Sequence, residues 1–397
     1  MLDALIVGLA LLATLPAEAG PAPLSPTLTL EQALARPRPG LAAARLAADF
    51  AEIESQLSQT RGLLREGPSL TTQAGWRRQP PEGDGTDFGL EIELPLATKA
   101  SRSGRAAVAE SLSASRSMLG QRARLTDSQL IVEAYLVTWA AQQRLALRRA
   151  DERQLRGFAG RLSEQIAAGA VAAFQAGLVD AELLAAQGLA AEAEAEVNRT
   201  WAILLSLTEL PAAPIPELKR PSPAPESVAG GTALPAEALL AEQRLADARS
   251  RWAEGRELSR SGIAASLTRE GDEDVVLLGW RWRIPFSGEK QAIQRRTAGE
   301  LSLREVATRQ QLAELAVRQL ASRALLAALP AQAADPNQLD AVWRAAELRV
   351  REGKDSPAEA MNIRRALISA QLTALELELR RLTAQAELAY LTQEIRP

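Results

Sequence analysis

From Ala100 to Ala168 the sequence contains no proline, in a chain dominated by alanine, leucine, glutamate and arginine. That composition predicts one long helix. At 1.5 Å per residue it is a rod on the order of 100 Å. Propensity alone does not hold such a helix; it needs a packed seam. Four more long helical segments are readable. They span roughly Thr29 to Arg65, Val179 to Glu209, Pro235 to Arg260, and Glu289 to the C-terminus. In the first, Thr29 and Gln32 form a capping-box pattern, and Pro37 and Pro39 interrupt it early. The last breaks at Pro330–Pro336 and again at Gly353–Pro357. It also shows its seam: Ile368, Leu372, Leu375, Leu379, Leu382, Ala386 and Ala389 recur at alternating steps of four and three. That is an a/d stripe, which predicts a bundle or coiled coil and names no function.

Two short stretches depart from the helical period, at 68–96 and 261–286, and each predicts a β-hairpin. In the first, Phe88, Leu90, Ile92 and Leu94 fall on one face of the second arm, with Glu91 and Glu93 on the other. In the second, Val276, Leu278, Trp280, Trp282, Ile284 and Phe286 share a face opposite Val275, Leu277, Gly279, Arg281 and Arg283. Period-two alternation gives one apolar and one polar face. The arms have the 9–11 residues that a tilted membrane strand needs. Apolar residues with Trp then face lipid. Glu91, Glu93, Arg281 and Arg283 face a wet lumen.

The chain has no cysteine and no histidine. Disulfide frameworks, thiol nucleophiles, Cys/His zinc sites and histidine-based triads are therefore excluded. There is no Gly-rich phosphate loop and no convincing carboxylate constellation, so the reading is not an enzyme and requires no cofactor. A net charge of −3, with acids interleaved among the arginines, gives no basic excess for nucleic acid. Residues 1–19 carry an apolar run from Leu5 to Leu15, then Ala17-Glu18-Ala19, which reads as a secretory signal peptide. Asp3 stands where a basic residue is usual. No segment has the length of a membrane helix, so any span must be a β-barrel.

The two halves repeat one order: helix, hairpin, long helix, tip turn, returning helix. They occupy 20–210 and 234–397, joined by a Pro-rich linker at 211–233. The second arms end at Pro95 and Pro285, 190 residues apart, whereas Gly177 and Gly353 lie 176 apart. Either the first tip lies nearer Gly169, or the Gly169–Gly177 stretch holds an insertion. A period this long is a duplicated half, not a solenoid.

Leu28-Thr-Leu-Glu-Gln-Ala-Leu34, Leu41-Ala-Ala-Ala-Arg45, Pro68-Ser-Leu70, and Leu94-Pro-Leu96 before Ser103-Gly-Arg-Ala-Ala107 resemble landmarks of the TolC-like outer-membrane efflux family. Ala176-Gly-Leu178 and Arg351-Glu-Gly353 resemble its two tip turns. The resemblance covers nearly the whole mature chain. It implies a mainly α fold with a small β part: long coiled-coil-like helices build a periplasmic α-barrel. Four strands per subunit enter a 12-stranded outer-membrane β-barrel of a homotrimer. It further implies a passive channel working with a periplasmic adaptor and an inner-membrane pump, exporting small molecules or metal ions. Acids near the tips become rings of three in a trimer. Asp180, Glu182, Asp355 and Glu359 are the candidate gate acids. Gly169, Gly177, Leu178, Gly353, Lys354 and Ser356 are the candidate adaptor-docking positions. The other reading left open is a soluble periplasmic coiled-coil scaffold or adaptor-like protein.

Overall fold

The computed structural model describes residues 27–392, apart from 39, 60–67, 80–82, 170–171, 173, 213, 222–233, 259, 271–272, 284–286 and 330–335. The segment read as a signal peptide therefore lies outside the described residues. Strand β1 (Thr27–Leu28) leads into α1 (Leu30–Leu34). Thr29 caps α1: its side chain accepts from Gln32 N, and the Gln32 side chain accepts from Thr29 N. The helix expected from Thr29 to Arg65 is in fact two. Pro37 has no N–H to continue the ladder, and the chain instead bridges to Thr208, with Arg38 N donating to Leu207 O.

Helix α2 (Leu41–Gln59) restarts under an unusual cap. The carboxylate of Asp127 accepts from Ala42 N and Ala43 N, both at 3.3 Å. A Cβ on Gly40 would stand 1.8 Å from that carboxylate, so only glycine fits there. Strands β2 (Ser69–Gln79) and β3 (Gly83–Leu96) follow, and Thr98 then caps the 69-residue α3 (Lys99–Ala167). Helix α4 (Phe174–Leu207) returns along it.

The expected linker is partly built into the core. Strand β4 (Glu217–Leu218) pairs in parallel with β1. The Tyr135 hydroxyl lies 2.9 Å from Leu28 O and 2.8 Å from Lys219 O. Gln142 accepts from Leu218 N and donates to Pro216 O. Prolines spoil helix here, but they leave carbonyls and one N–H for two side chains of α3 to satisfy.

The second half runs α5 (Leu234–Leu258), β5 (Arg260–Glu270), β6 (Glu273–Arg283), α6 (Ser287–Ala328), α7 (Pro336–Arg351) and α8 (Pro357–Thr392). Helix α3 is the spine. Three apolar clusters lie along it, in order from the strands outward. The first joins Val108 and Leu112 to Phe50, Ile53, Leu245 and Trp252. The second joins Ile131, Tyr135 and Trp139 to Trp201, Leu204, Leu375 and Leu382. The third joins Leu155, Phe158 and Leu162 to Val179, Trp343, Val350 and Met361. The stripe read on the last helix thus faces inward at Leu375, Leu382 and Ala389. Each large apolar side chain so buried contributes ~1.5–3 kcal/mol.

Candidate functional site: the open sheet and the helix tips

The two hairpins join into one antiparallel sheet of order β2-β3-β5-β6. Its register aligns the alternation of all four strands. Leu70, Ile92, Ala265 and Leu278 form one row; Leu90, Leu267 and Val276 a second; Leu94, Ile263 and Trp280 a third. These rows share one face. Glu91 pairs with Thr71 and Ser266, and Glu93 with Ser69 and Ala264, on the other. Arg281 is opposite Gly262, and Arg283 opposite Arg260, at positions on that same polar face. The register thus brings all four residues read as lumen-facing to one side of the sheet; the side chains of Arg281 and Arg283, with Ile284 and Phe286 entire, lie outside what is described. A Cβ on Gly262 would stand 3.1 Å from Leu94 O and 3.3 Å from Glu93 Oε1, so this glycine makes the room that the carboxylate uses.

The apolar face is uncovered. Leu278 is 81% exposed, Val276 73%, and Leu70 and Trp280 63% each. Among the described residues β2 and β6 have no partner on their outer edges. The 11 residues of β5 and of β6 are enough for a strand tilted across a ~25 Å apolar band. No described helix is long and apolar enough to cross a membrane.

At the other end of α3 two turns close the helix pairs. Gly169 (φ 75°) and Gly353 (φ 69°) both take the left-handed conformation that favours glycine. Gly177 and Leu178, expected in the first turn, lie instead inside α4, because the helix has already restarted at Phe174. The turn nearer Gly169 is therefore the one formed.

Most charges at this end find partners within the chain. Asp355 accepts two bonds from Arg349, at 2.7 and 2.8 Å, and that guanidinium holds its carboxyl below the usual range. Glu359 closes a capping box with Ser356: its carboxylate accepts from Ser356 N at 2.7 Å, and Glu359 N donates to Ser356 Oγ. Lys354 pairs with Glu352. Glu182 accepts from Arg365 and from Arg364, and these hold its carboxyl low, Arg365 most. Of the four candidate gate acids, Asp180 and Glu359 are exposed without an ion pair among the described residues, and of these two Glu359 is held in its capping box.

Sequence reasoning missed the strongest interaction here. Arg364 on α8 makes a bidentate bond to Asp151 on α3, at 2.7 and 2.8 Å, with side-chain exposures of 8% and 1%. Only half a signal was present. Asp151, Leu155, Phe158 and Leu162 recur at steps of four, three and four, which puts a charge in an apolar row of α3, but the α8 stripe continued back from Ile368 by its own alternation falls on the exposed Arg365 and not on Arg364. Among the described residues, neither end sets a nucleophile beside a base. Its chemistry is that of surfaces: an apolar sheet face, a polar one, and ion-paired tips.

An open sheet with one apolar face, set on shorter helices packed along the 69-residue α3, which is about 100 Å long, is an architecture that solved structures share. The Campylobacter jejuni CmeC outer membrane channel matches with TM-score 0.67 and 14% identity, over 91% of this chain and 85% of that one. The outer membrane protein VceC from Vibrio cholerae matches with TM-score 0.65 and 14% identity, over 91% and 94%. The open-state Neisseria gonorrhoeae MtrE outer membrane channel matches with TM-score 0.60 and 15% identity, over 91% and 87%. The fold is that of the outer-membrane channels. No protein-family model and no curated protein matches the sequence.

Proposed function

We propose that this chain is the outer-membrane channel subunit of a tripartite efflux system. Three copies close one 12-stranded barrel, and the helices extend into the periplasm as a conduit for small molecules or metal ions. A periplasmic adaptor docks at the tip turns around Gly169 and Gly353–Ser356, and an inner-membrane pump supplies the drive. The open sheet carries this reading. Strand edges without hydrogen-bond partners are not tolerated in lipid, and four strands are too few to close a barrel. An exposed apolar face beside a polar one suits a barrel wall between lipid and water. Ion pairs hold Glu182 and Asp355, and a capping box holds Glu359, which leaves Asp180 as the acid best placed to form a ring at the entrance.

Detergent-extracted protein reconstituted in planar bilayers tests the proposal. Stepwise conductance from a particle of three chains is expected. Recovery as a detergent-independent monomer in the soluble periplasm sinks the channel and favours a scaffold. Asp180→Asn should lower cation preference in reversal-potential measurements; an unchanged preference removes Asp180 from the entrance.

A further inference from the structure

The helices leave the sheet through a basic collar. Segments 99–108 of α3, 249–258 of α5 and 287–296 of α6 adjoin the strands. Together they hold nine basic residues and three acids, in a chain whose net charge is −3. Arg249 pairs with Glu52 and Arg296 with Glu257, and Arg256 lies over the Trp252 ring. The other six, Lys99, Arg102, Arg105, Arg251, Lys290 and Arg295, have no ion pair among the described residues. All but the half-buried Arg105 are exposed.

Helix stability does not account for them. Lys99, Arg102 and Lys290 stand within the first four residues of α3 and α6. There the positive end of the helix dipole favours acids and repels cations, yet α3 has no acid in its first turn. Packing does not account for them either: Lys99 and Arg102 turn away from Ser101, Val108 and Leu112, which α3 buries.

The collar lies at one defined level. A Cβ on Gly104 would stand 3.0 Å from Trp252 Cα, and one on Gly255 3.4 Å from the carbonyl carbon of Ala100. These backbone contacts put Arg251 of α5 level with Arg105 of α3. From Lys99 to Arg105 is ~9 Å along the helix, close to the ~5–8 Å of headgroup layer on each side of a bilayer core. The last two rows of the sheet before the collar hold Trp280, opposite Ile263, and Trp282, opposite Ser261. Trp is the residue that gathers where hydrocarbon meets headgroups. The far end of the sheet has the other sign: segments 80–87 and 270–274 hold seven acids and no basic residue.

We infer that the collar binds the anionic headgroups of phospholipids in the leaflet on the helix side of the membrane. Lys99, Arg102, Lys290 and Arg295 take the phosphates, and Arg105 and Arg251 lie at the deeper edge. Long basic side chains reach along apolar surface to the headgroup layer, and clustered Lys and Arg at a membrane edge attract anionic lipid. The inference rests on the barrel wall proposed above and adds which lipid surrounds it and which side chains select that lipid.

Native mass spectrometry of the full-length, detergent-extracted trimer tests it, with phosphatidylglycerol or phosphatidylcholine added as the probe. At least fivefold more phosphatidylglycerol than phosphatidylcholine should be retained. The variant Lys99→Gln/Arg102→Gln/Lys290→Gln should lose most of that preference while still conducting in planar bilayers. Arg251→Gln/Arg295→Gln, a second removal from the same collar, should lose part of it, and serves alone if the triple variant fails to assemble. Arg45→Gln/Arg153→Gln/Arg323→Gln removes three exposed cations without ion pairs from the helices farther from the sheet and should keep the preference. Equal loss in collar and control variants overturns the collar. So does a preference abolished by millimolar inorganic phosphate at constant ionic strength, which marks a site for free anions. Unchanged lipid retention with a shifted reversal potential also overturns it, and places these cations in the lumen. A conducting trimer with no lipid preference overturns the collar alone; a soluble monomer that binds no phosphatidylglycerol vesicles overturns the channel reading with it.

Discussion

The two ends of α3 solve opposite problems. At the tip, Asp151, Glu182 and Asp355 are each matched to an arginine of the same chain. At the sheet, no described residue covers Leu278 or Trp280, and among the described residues two strand edges stay open. One end is finished by one subunit. The other, on the proposed function, is finished by lipid and by further copies.

The largest expected effect tests the finished end. Arg364→Met leaves Asp151 charged and buried without its partner, which costs about 3–5 kcal/mol. Urea unfolding followed by circular dichroism should show that loss. Restoring apolar packing with Asp151→Leu in the same chain should recover most of it, since a buried pair replaced by hydrophobic residues is often near neutral. A double variant no more stable than the single one would mean that Arg364 acts mainly through Glu182.

The unfinished end should respond in a different currency. Leu278→Arg places a charge on the exposed apolar face, at a cost of about 2–4 kcal/mol near a bilayer midplane and little in water. Helix content and the tip should be untouched, while the yield of membrane-inserted trimer falls. Thr71→Arg, on the polar face of the same sheet, should insert normally. Equal loss from both substitutions would make the sheet a soluble layer rather than a barrel wall.

How much of this was legible in the sequence follows the same division. Period-two alternation is local, so the apolar rows of β3 and β6 and the capping box at Thr29 could be read directly. The α8 stripe was readable for the same reason. What failed to show was set by distant partners. The cap of α2 is Asp127, 84 and 85 residues from the amides that it accepts from. The two-residue strand β4 exists because Tyr135 and Gln142 of α3 hold it. The sequence leaves the first tip open between Gly169 and Gly177, since either glycine can end a helix; only the positive φ of Gly169 identifies the turn. Of the Arg364–Asp151 pair only Asp151 was legible, as a charge in the apolar row of Leu155, Phe158 and Leu162; the α8 stripe carried back from Ile368 meets Arg365, so its partner shows only in the packed helices.

The smallest expected effect separates the ends by pH. Glu182 and Asp355 both hold carboxyl pKa values below the ordinary 4.5 and 3.8, because Arg365 and Arg349 respectively bond their charged forms. Depressed values mean that their contribution is fully present above the unfolded pKa and is lost as pH falls through the folded one. At neutral pH the tip should be insensitive, and below about pH 4 it should loosen. Amide hydrogen exchange over residues 349–365, measured from pH 7 downward after correction for intrinsic rates, reports such local opening. Protection there should fall in acid while that of the central cluster around Tyr135 and Trp201 persists. Asp355→Asn should bring part of the loss forward to neutral pH and flatten the remaining acid dependence. Protection at the tip that stays constant through pH 3 would mean that Gly353, the Ser356 cap and the apolar contacts of Trp343 and Met361 hold the turn, with the ion pairs as bystanders.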